Sequence, residues 1–356
     1  MTFVNFSHIV LTVRHHFLSI LVLIFYLSVT LASCQKESDI SFDAMNTFMT
    51  IRSFGLKGEK ANERVRARIA QIEETVSTTK EESEIYRLNH TAGTVQEISQ
   101  DTELLLDFSL RMAQKTGGAL NPCLYPITSL WGFTTENFRV PSDSEISAIL
   151  PYTDFSKISM KANHILLEKN MMIDLGAVGK GFASDEAVKI LKKAGITSAV
   201  IDLGGNIYAL GKKRGRHGKK SDWLIGVKDP FSGDAALAVS VHDKAIITSG
   251  GYERFFEDEN GKRYIHIFDG KTGKPAESDI ASVTIVADSG LYADALSTSL
   301  FVMGKKNAID FWRAHRDFEA IIILDEKSIA ISGGLADSFK LIAPFQNVEI
   351  FGIESR

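Results

Sequence analysis

Residues 171–191 read MMIDLGAVGKGFASDEAVKIL: an apolar run ending in Asp174, three glycines and a lysine within 176–181, and then the spacing of an amphipathic helix. How this stretch is read decides the fold class. Glycine lacks a Cβ, so a glycine-rich backbone can turn sharply or come close to a ligand, and a helix starting behind it offers unpaired N–H groups to an anion. Lys180 adds a full positive charge. A nucleotide P-loop is excluded by spacing, because it needs four residues between its first glycine and the Gly-Lys pair, and then Ser or Thr. Here only Ala177 and Val178 intervene, and Gly181 follows. Two readings stay open on this stretch alone, a tight strand-to-helix turn and a phosphate-binding turn. Both predict a strand up to Asp174 and a helix over 182–194.

Working outward, short apolar runs follow one another downstream: SAVIDLGGNIYALG, WLIGVKD, AIITSG, RYIHIFD, ASVTIVA, FEAIIILD and NVEIFGI, with one more helix predicted over 291–303. Many short strands with few helices between them predict an α+β fold of mostly antiparallel sheets with packed helices, not a doubly wound nucleotide fold. Upstream, Val65, Ile69, Ile72 and Val76 recur at helical spacing. A second helix is predicted over 100–116, stopped by Gly117 and Gly118, and a strand over 41–55. The stretch NPCLYPITSLWGF, with its two prolines, reads as ordered loop.

The amino terminus belongs to a different category. Arg14-His15-His16 precedes the apolar run FLSILVLIFYLSVTLA and the ending Leu31-Ala32-Ser33-Cys34. Such a run is short for a bilayer span and ends in small residues, as secretory signals do. The ending resembles a bacterial lipobox, which implies cleavage before Cys34, lipid on its sulfur, and attachment to a membrane outside the cytoplasm, on the periplasmic side. The expected organisation is a signal peptide over 1–33, a tether over 34–44 and a single domain over 45–356. With Cys34 lipidated, Cys123 has no partner, so no disulfide framework is available. Stability then rests on an ordinary core, which 44% apolar residues can supply. A formal charge of −4 disfavours nucleic acid as a partner. The basic run GKKRGRHGKKSD (211–222) has no interleaved aromatics and reads as a solvated hairpin tip.

Two further stretches carry chemistry. In LYADALSTSLFVMG (291–304), Asp294 and Thr298 are four apart and share a helix face. A carboxylate and a hydroxyl on one face suit Mg²⁺, though an Asp at a helix start and a Thr bonding to its own turn are also commonplace. In TSGGYERFFEDENGKRYIHIFDGKTGKP (248–275), two strands are predicted to join at EDENGK, with His266 as proton acceptor or plain strand residue.

These stretches, together with MNTFMTI, STTKEESEIYRLN and TGGALNPCLYPITSLWGF, occur in the order found in one family. From about Met45 to Gly304 the chain resembles the ApbE-type FAD:protein FMN transferases. The resemblance implies a T-fold-like flavin transferase architecture. It also implies that FAD binds with Mg²⁺ and that FMN is transferred by a phosphoester link to a Thr or Ser of an acceptor protein, with release of AMP. By the same resemblance the metal would be held by Asp294, Thr298 and the carbonyl of Ala177, with Ser297 near. FAD contacts would fall on Met45, Ala119, Leu120, Asn121, Asp174, Lys180, His266 and Ile267, with His266 and Asp294 catalytic. The chain departs from the family at Leu120-Asn121, where Phe-Asp is common, at Asn46, where Gly or Asp is, and at Gly270, where Pro is. With the same site, attack by water would give an FAD pyrophosphatase, and no attack at all a flavin-binding lipoprotein.

Overall fold

The computed structural model describes residues 36–215 and 219–353, so the signal segment and the lipidation expected at Cys34 lie outside the described residues. A nine-stranded sheet forms the centre, its strands side by side in chain order. They are β1 (Glu37–Ala44), β2 (Thr47–Phe54), β3 (Ala199–Leu203), β4 (Ile207–Leu210), β5 (Lys244–Gly250), β6 (Ile280–Ala287), β7 (Glu319–Leu324), β8 (Ile329–Ser332) and β9 (Val348–Phe351). Neighbours are antiparallel except β8 and β9, which are parallel. The α+β, mostly antiparallel expectation holds.

The sheet is covered on both sides, which is why its inner strands read as unbroken apolar runs. In β7, Ala320, Ile322 and Leu324 enter one core while Ile321 and Ile323 enter another. The first core is shared with the helices α1 (Gly58–Val76), α2 (Gln100–Lys115), α3 (Gly176–Lys193) and α4 (Gly290–His315). The predicted stripe on α1 is its buried face, with Val65, Ile69 and Ile72 fully covered and Val76 half-covered. The second core lies under a small antiparallel sheet of Trp223–Lys228, Ala235–Val241 and Phe339–Leu341. As predicted, α2 ends at Gly117 and Gly118, with φ of 60° and 86°, and the Gly118 N–H returns to the Ala113 carbonyl at 2.8 Å. Among the described residues no helix is long and apolar enough to cross a membrane.

Several local expectations are corrected. Residues 41–55 are not one strand: Met45 and Asn46 take φ of 49° and 57° and close a hairpin in which Ala44 pairs with Thr47. The segment expected as tether is therefore mostly β1, held also by Asn62 Nδ2 donating to the Ser38 carbonyl at 2.9 Å. Helix Tyr125–Leu130 forms inside the expected loop, its Pro126 in the first turn where no N–H is missed. The run before Asp174 makes no ladder, because a side chain stands in for the neighbouring strand. Asn89 accepts the Ile173 N–H at 2.7 Å and donates to its carbonyl at 2.8 Å. RYIHIFD splits into Arg263–Ile265 and Phe268–Asp269. Helix α4 runs past its expected end across a kink at Gly304 (φ 73°), beyond which Asp279 accepts the Lys305 N–H at 2.9 Å. The basic tip does form a hairpin, pairing Lys213–Arg214 with Lys220–Ser221.

Candidate active site

Helix α3 begins at Gly176, six residues earlier than the sequence spacing predicts, so the glycines lie inside its first turns and do not form a turn ahead of it. The role of Gly181 is close approach. A Cβ on Gly181 would collide with the Gly290 carbonyl and come within 2.6 Å of the Asp294 Cβ, and one on Gly290 would strike Ser184 Oγ. Two helices that touch backbone to backbone here place the start of α3 against the start of α4.

Asp294 sits at this crossing, 5% exposed, and its Oδ2 accepts the Gly181 N–H at 2.8 Å. That N–H is the one a regular helix offers to the carbonyl of Ala177, so its turn toward Asp294 weakens the claim on that oxygen. Burial pushes the Asp294 carboxyl up to about 6, with Glu253 adding to the rise and Lys180, the Gly181 N–H and the Asn206 amide opposing it. The buried Asn206 Nδ2 itself reaches no acceptor at hydrogen-bond distance. One turn on from Asp294, Thr298 is half-buried, its Oγ1 3.3 Å from Ser249 Oγ at the end of β5. Ser297 is committed elsewhere: its hydroxyl donates to the Asp294 carbonyl at 2.9 Å and lies 2.8 Å from Ser249 Oγ, so it braces the turn.

Lys180 faces the same cleft, within charge reach of Asp294, Glu253 and His266. Burial raises the Asp174 carboxyl, against the Gly176 N–H that it accepts at 2.7 Å and the nearby Arg254 charge. His266 Nδ1 lies 3.0 Å from the Arg254 carbonyl. A carbonyl can only accept, so Nδ1 carries the proton and Nε2 keeps its lone pair. Burial, with Arg254 and Lys180 adding, lowers the histidine to about 4, against the Arg254 carbonyl. The imidazole is therefore neutral at pH 7. Asp174, Lys180, His266, Asp294 and Thr298, separated by up to 124 residues in the sequence, are thus joined in one polar cluster, Asp174 with His266 through Arg254, and His266 with Asp294 through Lys180.

The remaining predicted contacts are placed around this cleft with differing freedom. Met45 forms the β1–β2 hairpin tip, whose Thr47 fills the space beside Gly204. The Ala119-Leu120-Asn121 stretch is tied to the cleft through Pro122, whose carbonyl accepts the Asp174 N–H at 2.8 Å. Leu120 is 3% exposed, and Asn121 spends its side chain on the Thr153 carbonyl (3.0 Å) and the Cys123 N–H (2.8 Å). Ile267 is 6% exposed and its carbonyl takes the Ala276 N–H at 2.8 Å. Of these, the half-buried Met45, Ala119 and Asn121 keep accessible surface. Reading by residue type missed Ser249, Glu253, Arg254 and Asn206, since nothing in TSGGYER or LGGN marks which polar residue a distant helix will face. A cavity of about 360 Å³ walled by Trp131, Tyr252, Tyr264 and Phe301 lies apart, and the predicted residues do not line it.

Comparison with known proteins gives a consistent picture. A model of the ApbE family matches residues 45–322. An FAD:protein FMN transferase of Treponema pallidum is 35% identical over 297 residues, 79% of this chain and 82% of that protein. One from Haemophilus influenzae is 31% identical over 304 residues, 80% and 86% of the two chains. Among solved structures, the ApbE protein of Thermotoga maritima superposes with a TM-score of 0.78 at 31% identity, covering 84% of this chain and 98% of that one. The flavin transferase ApbE of Vibrio cholerae gives 0.73 at 26%, covering 86% and 96%.

Proposed function

The chain belongs to the ApbE family, and from that premise we propose that it is an FAD:protein FMN transferase. It moves the FMN half of FAD onto a Thr or Ser hydroxyl of an acceptor protein and releases AMP. The observation that carries this reading is the convergence of Asp294, Thr298, Lys180 and His266 on one cleft.

The residues present fit Mg²⁺. Carboxylate, hydroxyl and backbone carbonyl are hard oxygen donors, and Asp294 and Thr298 present two of them one turn apart at the helix crossing where Asp294 is buried. Asp294, Thr298 and the Ala177 carbonyl would hold the ion, which when bound supplies charge neutralisation on the pyrophosphate oxygens. Lys180 would bind the phosphate oxygens, and the half-buried Met45 and Ala119 would border the dinucleotide. His266 Nε2, with its lone pair free, takes the proton of the incoming hydroxyl. The hydroxyl oxygen forms a bond to the flavin-side phosphorus as the bond from that phosphorus to the bridging oxygen breaks, and AMP leaves with that oxygen. Displacement of this kind needs positioning and electrostatics more than a protein nucleophile.

Incubating the purified chain with FAD, Mg²⁺ and a Thr-bearing acceptor protein separates the outcomes: covalent flavin fluorescence on the acceptor means transfer, free FMN means hydrolysis, and intact FAD means binding alone. In the same assay Asp294→Ala removes flavinylation, and full activity in that variant overturns the metal assignment. The amino-terminal sequence supports export, with lipid on Cys34 holding the domain at a membrane outside the cytoplasm. Radiolabelled palmitate incorporated by the native chain and lost in Cys34→Ser is the expected result; equal labelling of both disproves it.

A further inference from the structure

The crossing of α3 and α4 has a second fastening, away from the cleft. Asp185, on α3, reaches across to the first turn of α4. Its Oδ1 accepts the Gly290 N–H at 2.6 Å, while its Oδ2 accepts the Leu291 N–H at 3.1 Å and the Ser289 hydroxyl at 2.7 Å. Ser289 in turn caps α4 by accepting the Tyr292 N–H at 3.2 Å. One carboxylate thus satisfies two backbone donors that a helix start leaves unpaired and fixes the residue that caps a third.

The positions on the two helices form a ladder. On α3, residues 177, 181 and 185 recur every four positions and lie on one stripe. On α4, residues 290, 294 and 298 do the same. Asp185 meets Gly290, and Gly181 meets Asp294, so the helices run in opposite senses, and continuing the spacing by one rung pairs Ala177 with Thr298. Each rung is about 6 Å along the axis. The cation donors Ala177, Asp294 and Thr298 therefore sit on the upper two rungs, and the Asp185 clamp sits on the lowest. The Gly181–Gly290 contact lets the helices approach, but a contact between bare backbones does not by itself fix how far one slides along the other. The directional bonds of Asp185 do, together with the Gly181 N–H donated to Asp294.

We propose that Asp185 is a positioning residue for the cation site: by locking the start of α4 to α3 it sets the register in which the Ala177 carbonyl faces the Asp294 and Thr298 oxygens. This rests on the metal reading above. Residues that orient metal ligands from outside the coordination shell change metal affinity by roughly 10–100-fold when removed.

The test uses Mn²⁺ in place of Mg²⁺, with FAD present and no acceptor, so that binding is read from the electron paramagnetic resonance signal of free Mn²⁺. Asp185→Ala should weaken Mn²⁺ binding by about tenfold or more. Asp185→Asn, which keeps one acceptor oxygen for the Gly290 N–H, should recover most of the affinity. In turnover with an acceptor, the Mg²⁺ concentration for half-maximal rate should rise in Asp185→Ala while kcat at saturating Mg²⁺ changes little. Native Mn²⁺ affinity in Asp185→Ala, with only a lowered melting temperature, reduces the clamp to a structural cap and overturns the proposal. Should Asp185→Ala not fold, Asp185→Ser decides: its shorter side chain does not span to the Gly290 and Leu291 N–H groups, and Mn²⁺ affinity equal to native in that variant also overturns the proposal. If the native chain binds no Mn²⁺ under these conditions, the metal reading fails first and this one with it.

Discussion

At His266 the local chemistry makes a pH-dependent prediction. The side chain is half-buried beside Arg254 and Lys180, and its pKa falls from 6.5 to about 4 in the folded chain. Between these values the unfolded chain takes up a proton that the folded chain refuses. The histidine's contribution to stability is therefore complete above pH 6.5 and is lost as pH drops toward 4, by roughly 1–3 kcal/mol once solvent contact is allowed for. Asp294, raised to about 6, acts in the opposite sense over part of the same window, so the native curve alone does not isolate the histidine. The difference between native and His266→Gln does: the variant should lose less melting temperature from pH 7 to 4.5, and parallel curves would contradict the buried neutral imidazole. In the transfer reaction His266→Ala should slow turnover at pH 7 while FAD still binds. Both residues were legible in the sequence through the family pattern as candidates, one for proton acceptor and one for cation ligand. Their pKa shifts were not, since burial depends on what covers a side chain.

Among the elements, α3 shows how a correct motif can carry an incorrect local reading. The glycines of GAVGKG were expected to bend the chain ahead of the helix, whereas they lie within it, and at Gly181 the missing Cβ lets α4 lie against it. Glycine supports either use, and spacing alone does not distinguish them. Gly181→Ala puts a methyl group into the Gly290 carbonyl and Asp294 Cβ, so it should cost about 1–3 kcal/mol as an overpacked contact and weaken cation binding as well. Urea denaturation would read the first effect, and stability equal to native would mean that the helices are less tightly apposed than described. The hairpin at Met45-Asn46 carries the same lesson. Two left-handed residues in succession turn one apparent strand into two, and asparagine at the second is a weak signal beside a methionine at the first.

Across the whole molecule, nine strands in chain order between a helical layer and a small second sheet account for the long apolar runs. Cys123 reports on this packing: it is fully buried, and burial, with the Asp154 charge adding, pushes its thiol up to about 12. In a Cys34→Ser chain at pH 8, iodoacetamide should label it only as the protein unfolds, because the thiolate is the reactive form; fast labelling under native conditions would show that the core opens locally. The sequence by itself determined the fold class and the strands and helices with strong periodicity, because alternation and helical spacing are local properties, and through the family resemblance it named candidates for the chemistry. Tertiary structure alone decided the crossing of α3 and α4, the neighbours that shift each pKa, and the side chains recruited from distant loops. Those depend on contacts between residues such as Arg254 and His266, 12 positions apart, and Gly181 and Asp294, 113 apart, which no local pattern encodes.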